Sequence, residues 1–465
     1  MRRVLLVGPL SGALLLCLVH CVGDDPGSGG NENAADGGAG ADATSGADST
    51  TSNDAGGGND AASDADGGFS CTSTPCVVQI AAGGAHTCAR TVDGSVRCWG
   101  ANLYGECGGG TVVPTDGGND NTVNPSIHAT PNIVSGIPAP AVVIGGGGSY
   151  RAYGVSCAAT SDMKMYCWGI DKSQQLGRGG DPILGDLFPA GAYPTPGAVH
   201  QIQNVRDVSV GVRHACAVFT AGAVACWGGD LDGALGIDPV IVNGKGTTYG
   251  KPQALSVAVK FDRVVSHGQH NLALTDQGKV WAWGDNSDGQ HGIAATQYEL
   301  PSEIAALNGK YVDIAAGRFN GCALDTTGKV WCWGKGTDGQ LGRGPSSLVA
   351  SDPTPKVVTF PVGSIVKQIS GDEQHMIALL DNGSVYEWGR TIIGVPPDAL
   401  GTPVDTPIQV TLSGKAIAIS CGYEHACALM EGGSVQCWGN NRSGELGRGN
   451  TAGAGSVSPP AAVVW

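Results

Sequence analysis

An all-β fold of seven repeated units, a β-propeller, is what this 465-residue sequence predicts, and three observations predict it. One pattern recurs seven times from about residue 80 onward, at intervals of roughly 50 to 70 residues, a period at or beyond the upper end for propeller blades. Each copy reads as a β-hairpin, six of the seven with a glycine at the turn. The cysteines of each copy are either both present or both absent.

Ahead of the repeats lie two segments of different character. Met1-Arg2-Arg3, an apolar stretch from Val4 to Val19, and then Cys21 before a polar run follow the plan of a secretory signal over residues 1–21. The stretch is interrupted by Gly8, Pro9 and Gly12 and is short for a bilayer span. Leu18-Val19-His20-Cys21 resembles a bacterial lipoprotein processing site, which implies lipid attachment at Cys21; His20 departs from the small residue expected there, and the alternative is an ordinary cleaved signal. The expected location is therefore outside the cytoplasm, at the outer membrane or cell surface or secreted, with membrane contact only through an N-terminal lipid. Residues 22–68 are almost entirely Gly, Ala, Asp, Ser, Asn and Thr, with ten acidic and no basic side chains, so they cannot bury enough surface to fold and read as a disordered tether. This tether holds most of the net charge of -15, and such a balance argues against nucleic acid as a partner.

From residue 69 to 465 the repeats occupy the chain. The copies run from His86-Thr87-Cys88-Ala89 to Cys98-Trp99-Gly100, from Cys157 to Cys167-Trp168-Gly169, and from His214 to Cys226-Trp227-Gly228. Four more run from His270 to Trp283-Gly284, from Cys322 to Trp333-Gly334, from His375 to Trp388-Gly389, and from His425 to Trp438-Gly439. Pairing Cys88 opposite Cys98 leaves Val92-Asp93-Gly94 as a three-residue loop whose last position wants a left-handed backbone. Glycine stands there in every copy but the second, where Met163 implies a distorted turn.

Five copies carry both cysteines: Cys88 and Cys98, Cys157 and Cys167, Cys216 and Cys226, Cys322 and Cys332, Cys427 and Cys437. The fourth has Leu272 with Ala282, and the sixth has Ile377 with Glu387. Joint presence or absence is what cross-strand disulfides demand, because directly opposed residues of an antiparallel pair lie within bridging distance. Zinc would need four ligands on one site, which one pair per blade around a ring does not supply. Each bridge closes a short loop worth about 2 to 3 kcal/mol, and five of them imply an oxidising compartment.

These elements, with Gly339-Gln340-Leu341-Gly342 and Gly444-Glu445-Leu446-Gly447, resemble the repeats of the regulator-of-chromosome-condensation family over about residues 77–465. The resemblance implies a ring of seven four-stranded blades around a central channel. Most copies are preceded by a proline and valine strand, such as Pro355-Lys356-Val357-Val358, which the first copy lacks, while the chain ends in Pro459-Pro460-Ala461-Ala462-Val463-Val464-Trp465. The expectation is that this C-terminal strand completes the first blade and closes the ring. Of the cysteines left over, a Cys107 to Cys421 bridge between ring neighbours would lock that closure and leave Cys71 with Cys76, one of three pairings open to them.

Catalysis finds no foothold. His86, His214, His270, His375 and His425 occupy one repeat position, as do the seven tryptophans, and a residue used once per blade is structural, the histidine by bonding backbone at the blade edge and the tryptophan by packing between blades. Asp230, Asp232, Asp285 and Asp288 lack the spacing of a calcium loop and read as turn caps. The chain has no helical zinc motif, phosphate-binding loop or nucleophile elbow, so no enzyme activity, no cofactor and no metal is expected.

Binding should then use the places where the repeat is broken. The segments Thr111–Thr130 and Gly179–His200 and the loop around Tyr249 follow equivalent elements of consecutive blades, with Phe188, Tyr193 and Tyr249 as candidate anchors, and Tyr150 and Tyr153, in the altered approach to the second hairpin, are two more. The alternative is mere variation in loop length. A protein-binding propeller, for which the resemblance offers inhibitors that cap an enzyme with one rim, is the first reading. A cell-surface carbohydrate-binding module using the same tyrosines is the second. Guanine-nucleotide exchange, as in the family's founding nuclear member, conflicts with the signal and the disulfides.

Overall fold

A computed structural model describes residues 70–109, 127–149, 152–179, 191–237, 241–242, 245–390, 392, 403–453 and 457–465. The expectations for residues 1–21, Cys21 and the 22–68 tether lie outside the described residues. Among the described residues, strands form seven four-stranded antiparallel sheets in sequence order, with a small extra hairpin at Ile241–Val242 and Lys245–Gly246 inside the third. The first strands of the seven blades are Val77–Ala82, Ala141–Ser149, Val205–Val210, Phe261–His267, Tyr311–Ala316, Val366–Asp372 and Ala416–Cys421, and together they line a central channel. Burial follows from this order: second strands such as His425–Met430 are buried throughout, and fourth strands such as Tyr298–Glu303 face solvent at half their positions.

The hairpin register is the one that the cysteines specify. Cys88 pairs with Cys98, Cys157 with Cys167, Cys216 with Cys226, Cys322 with Cys332 and Cys427 with Cys437, each pair disulfide-bonded with Cα atoms 4.1 to 4.2 Å apart. Leu272 faces Ala282 and Ile377 faces Glu387 at the same register. In the turn, Gly94 takes φ 78° and donates its N–H to Thr91 O at 2.8 Å. Met163 does the same toward Thr160 O at 2.8 Å with φ 65°, so the second turn keeps its shape and holds a side chain in left-handed backbone instead of distorting.

One interaction joins every blade to the next. The backbone N–H groups of Ala141, Asn204, Phe261, Tyr311, Val366 and Ala416 donate to the turn carbonyls of Gly94, Met163, Gly222, Gly278, Gly328 and Gly383 of the preceding blade, and Val77 donates to Gly433 of the seventh, all at 2.8 to 3.2 Å. The seventh junction is thus built like the other six, which corrects the expected closure. The strand Val457–Ala462 pairs with Val435–Asn440 as the outer strand of the seventh blade itself, and the first blade has its own outer strand in Ile127–Ile133. Proline and valine strands end the blade they follow. The tail beyond the last strand reaches the first blade, where Trp465 lies edge-on to Trp99 with centroids 5.8 Å apart.

The leftover cysteines divide differently from the expectation in one respect. Cys71 is bonded to Cys76, and the segment docks on the seventh blade through Thr72 and Ser73 N–H donating to Gly432 O. Cys107 and Cys421 are both free and buried. Cys107, in the leucine position of its loop, packs with Trp168 of the second blade, whereas Cys421 ends a first strand of the seventh, so the two face different junctions.

Tryptophan supplies the main latch between blades. Trp168, Trp227, Trp283, Trp333, Trp388 and Trp99 are fully buried, and their indole N–H groups donate to the backbone carbonyls of Glu106, Gln175, Ala234, Gln290, Gln340 and Glu445 in the preceding blade at 2.6 to 3.2 Å. The loop holding each carbonyl is shaped by its own sequence. Asn102, Asp171, Asp230, Asn286 and Asn441 accept the N–H five residues on, and the Gln or Glu side chain reaches back to the N–H two residues before it, as Gln175 does to Ser173 at 2.7 Å. Asp230 and Asp285 act here as turn caps, Asp285 accepting from Ser287 N–H at 2.8 Å.

The sixth copy lacks the Gly-x-Leu-Gly motif in its sequence, and another side chain takes the indole. Glu387, standing in the cysteine position, accepts Trp438 Nε1–H at 3.0 Å on one carboxylate oxygen and Ile392 N–H at 2.7 Å on the other, while Ile392 packs with Trp438 as the leucine does elsewhere. Glu387→Ala should therefore strand two buried donors and lower stability by roughly 2 to 4 kcal/mol in urea unfolding; a loss near zero would show that water replaces the carboxylate. Met163→Gly should raise stability by up to about 1 kcal/mol in the same measurement, because glycine carries no left-handed penalty.

Candidate binding rim and channel mouth

Three of the five repeat histidines, His86, His214 and His425, join side chains of neighbouring blades rather than the backbone edge. His86 Nε2 lies 2.8 Å from Ser156 Oγ, His214 Nε2 lies 2.9 Å from Asn271 Oδ1, and His425 Nε2 lies 2.7 Å from Thr87 Oγ1, closing the ring. Where the second blade has Val155 in place of histidine, the third has Ala215 in place of the polar partner, so the junction is apolar on both sides. Burial pushes His86, His214, His291 and His375 down to about 4 and His425 to about 3, which keeps these rings neutral. A neutral, fully enclosed ring with a fixed partner is a latch and not a general base.

The first strands protect their own edges around the channel. Gln79 brackets Ile144 of the next blade, accepting its N–H at 3.0 Å and donating to its carbonyl at 3.2 Å, and Gln368 does the same to Ile419. Asp207 accepts Val264 N–H at 3.1 Å, and Asp313 accepts Ile369 N–H at 2.8 Å while pairing with Arg263. Side chains from one inner strand thereby satisfy the open edge of the next, the requirement any exposed sheet edge imposes.

Strand direction sorts the connections onto two rims. The turns between second and third strands and the links between blades lie on one. The turns between first and second strands share the other with every connection from a third to a fourth strand. The third strands Val96–Ala101, Lys164–Ile170 and Val385–Arg390, after which residues 110–126, 180–190 and 393–402 follow in the sequence, end at that rim. Tyr150 and Phe188 lie outside the described residues, as does the side chain of Tyr153.

Two sequence candidates are described, and neither is an open platform. Tyr193 and Tyr249 occupy equivalent places in fourth strands, opposite Gly169 and Gly228, and pack half-buried against the cores between blades. Arg178 lies over the Tyr193 ring at 4.7 Å. Exposed groups stand instead in the short turns ahead of the repeat histidine. There Arg213 and Arg318 are exposed, and Phe319, Gln269, Gln374, Tyr423 and Glu424 are partly so. Arg318 and Lys335 flank the Phe319 ring at 4.8 and 4.6 Å, and Tyr423 is pushed up to about 12 by burial and by the carboxylates of Glu373 and Glu424. The signal was present in the repeats: the two positions just before the histidine position differ from copy to copy, as in Arg318-Phe319 and Tyr423-Glu424, while the Trp-Gly that ends the hairpin recurs in all seven.

Seven blades latched by their indoles, six to a backbone carbonyl and one to the Glu387 carboxylate, define a repeat-built β-propeller. Residues 152–464 match the RCC1-like domain and residues 77–106 match the regulator of chromosome condensation (RCC1) repeat. The chain belongs to this family. It is similar to the ultraviolet-B receptor UVR8 of Arabidopsis thaliana, with 27% identity over 393 residues that span 81% of this chain and 79% of the receptor. Human E3 ubiquitin-protein ligase HERC2 is 30% identical over 361 residues, 75% of this chain but 7% of the ligase. Among solved structures, yeast RCC1 (Prp20) bound to Kap60 superposes with a TM-score of 0.64 at 20% identity, covering 80% of this chain and 83% of that one. Human WBSCR16 gives 0.61 at 21% identity, covering 75% and 84%.

The buried rings make a pH prediction. Five histidines with lowered folded-state values bind fewer protons folded than unfolded, so their contribution is complete above the unfolded value of 6.5 and is lost as pH falls toward 4. Glu106 and Glu387, raised to about 7 by burial, work in the opposite sense between 4.5 and 7. Five groups outweigh two, so the melting temperature should fall steadily from pH 6.5 to 4, and His425→Asn, the residue at Asn320 in the fifth blade, should flatten the slope. A melting temperature that rises toward pH 4 would contradict this accounting.

Proposed function

We propose that the chain is an extracytoplasmic, non-catalytic propeller that holds a protein partner on the rim carrying the first-to-second turns and the third-to-fourth connections. The observation that carries this reading is where the repeat is free to vary. Latch positions facing the next blade are restricted by partners, whereas the turn residues Arg213, Phe319 and Tyr423 are held by no repeat rule and stand on the rim at which the third strands end. Arginine and aromatic groups are the anchors on which protein interfaces concentrate their binding energy. The relatives, a light receptor and a segment of a ubiquitin ligase, fit a scaffold on which different roles are hung. Five hairpin disulfides support an oxidising compartment, and residues 1–68 supply the proposed export signal and the tether, with Cys21 as its lipid anchor.

The test uses the full chain as bait for the envelope and secreted fractions of its own organism, beside an Arg213→Ala, Phe319→Ala double variant and an Asp381→Ala variant on the opposite rim. A partner retained by the unaltered chain and by the Asp381 variant, but reduced at least tenfold with the double variant, is the expected result. Equal retention by all three would remove this rim from the proposal.

A further inference from the structure

Blades four and six depart from the repeat together, and the departures meet. Across from the repeat histidine position, at or next to the end of the first strand, five blades hold glycine: Gly83, Gly147, Gly211, Gly317 and Gly422. The reason is steric, since a Cβ at Gly83, Gly211 or Gly422 would come within 2.2 to 2.5 Å of the histidine ring of its own blade. Blades four and six place His267 and Asp372 at this position. These are also the two blades without a cysteine pair, and their histidines His270 and His375 have no partner at Nε2.

His267 and Asp372 reach across the inner end of the fifth blade to each other, with His267 Nε2 2.5 Å from Asp372 Oδ1, and both line the channel. Glu373 follows directly, so that one ligating atom from each of the three lies within 4.8 Å of the other two. All three side chains are more than nine-tenths buried. Glu373 Oε1 takes Arg318 Nη1 at 2.6 Å, but its Oε2 is enclosed with no hydrogen-bond partner.

The hydrogen bonds around the imidazole do not close either. His267 Nε2 faces the Asp372 oxygen and also the Glu373 backbone N–H at 3.1 Å. A protonated Nε2 serves the carboxylate and opposes the N–H, and a bare Nε2 does the reverse, so neither protonation state satisfies both. A cation takes the lone pairs of imidazole and carboxylates with no proton between them. One imidazole with two carboxylates is a mixed nitrogen and oxygen set suited to a first-row divalent ion such as zinc, and poor in oxygens for calcium. Arg318 then stands behind Glu373 as the support a ligating carboxylate takes.

We propose that His267, Asp372 and Glu373 bind one divalent transition-metal ion of the zinc class, tying the fourth blade to the sixth across the fifth at the channel mouth. Three protein ligands leave a coordination position for water or for a donor group of a bound molecule.

The full chain, stripped with chelator and dialysed, is titrated with zinc chloride by calorimetry and with Co²⁺ by visible absorption. One equivalent should bind, with a ligand-field band for Co²⁺ and a rise in melting temperature on adding zinc. His267→Gly and Asp372→Gly restore the residue of the other five blades, and each should weaken binding at least tenfold and remove the thermal shift. Circular dichroism and metal-free melting establish that these variants fold. If either fails to fold, Glu373→Gln, which keeps the backbone and a group facing Arg318, should give the same tenfold loss. The site is overturned if the unaltered chain binds no stoichiometric zinc, or if the folded variants bind it as tightly as the unaltered chain does.

Discussion

A buried indole N–H has no water to turn to, and the ring is organised by that need. Every blade presents one tryptophan side-on to its predecessor, so every blade must hold an acceptor in place for its successor, a backbone carbonyl in six of the seven. The Gly-x-Leu-Gly element is the device that does so. An Asx side chain closes its turn, a Gln or Glu folds back on its own backbone, the leucine packs with the incoming ring, and glycine at Gly177 lets Trp227 come close, since a Cβ there would stand 2.7 Å from the indole. The sixth blade proves the need by its exception. Its sequence lacks the motif, and a glutamate from the adjoining strand, Glu387, then meets the next indole while Ile392 takes the place of the leucine.

Because the latch is a relation between neighbours, a blade's sequence answers to the blade after it as much as to itself. His86 meets Ser156 and His425 meets Thr87, while Val155 meets Ala215. The disulfides act at the other scale, within a hairpin, and the inner-strand side chains act at a third by covering the open edge around the channel. Each of these three devices satisfies or shields groups that burial between blades would otherwise leave unmet. Closure requires nothing more, since the seventh junction repeats the contacts of the first six.

This division of labour leaves the molecule two kinds of freedom. The rim of turns lies beyond the latches and can vary. The inner channel has little room to vary, because a Cβ at Gly83, Gly211 or Gly422 would meet the histidine ring beside it and one at Gly147 or Gly317 would meet Val210 or Asn320, and a side chain there marks a local suspension of the repeat. Blades four and six suspend it in three respects at once: the glycine, the cysteine pair and the bonded histidine. That coincidence places His267 and Asp372 together where five other blades have no side chain.

What the sequence by itself determined is local or periodic. The hairpin register, the left-handed turn position and the pairing of five cysteine pairs span ten residues each, and directly opposed positions in a hairpin must change together, so they are visible in one chain. The number of blades follows from counting the period. The tertiary structure decided what depends on which surfaces face each other. It assigned the C-terminal strand to its own blade, because pairing of a fourth strand with its third looks the same in sequence as pairing with the next unit. It left Cys107 and Cys421 apart, since one faces the following junction and the other ends an inner strand. It half-buried Tyr193 and Tyr249, whose loops had suggested exposure. And it brought His267 to Asp372 and Glu373 from two blades that are not neighbours, a contact set by the radius of the ring, which leaves no period in the chain for a reader to find.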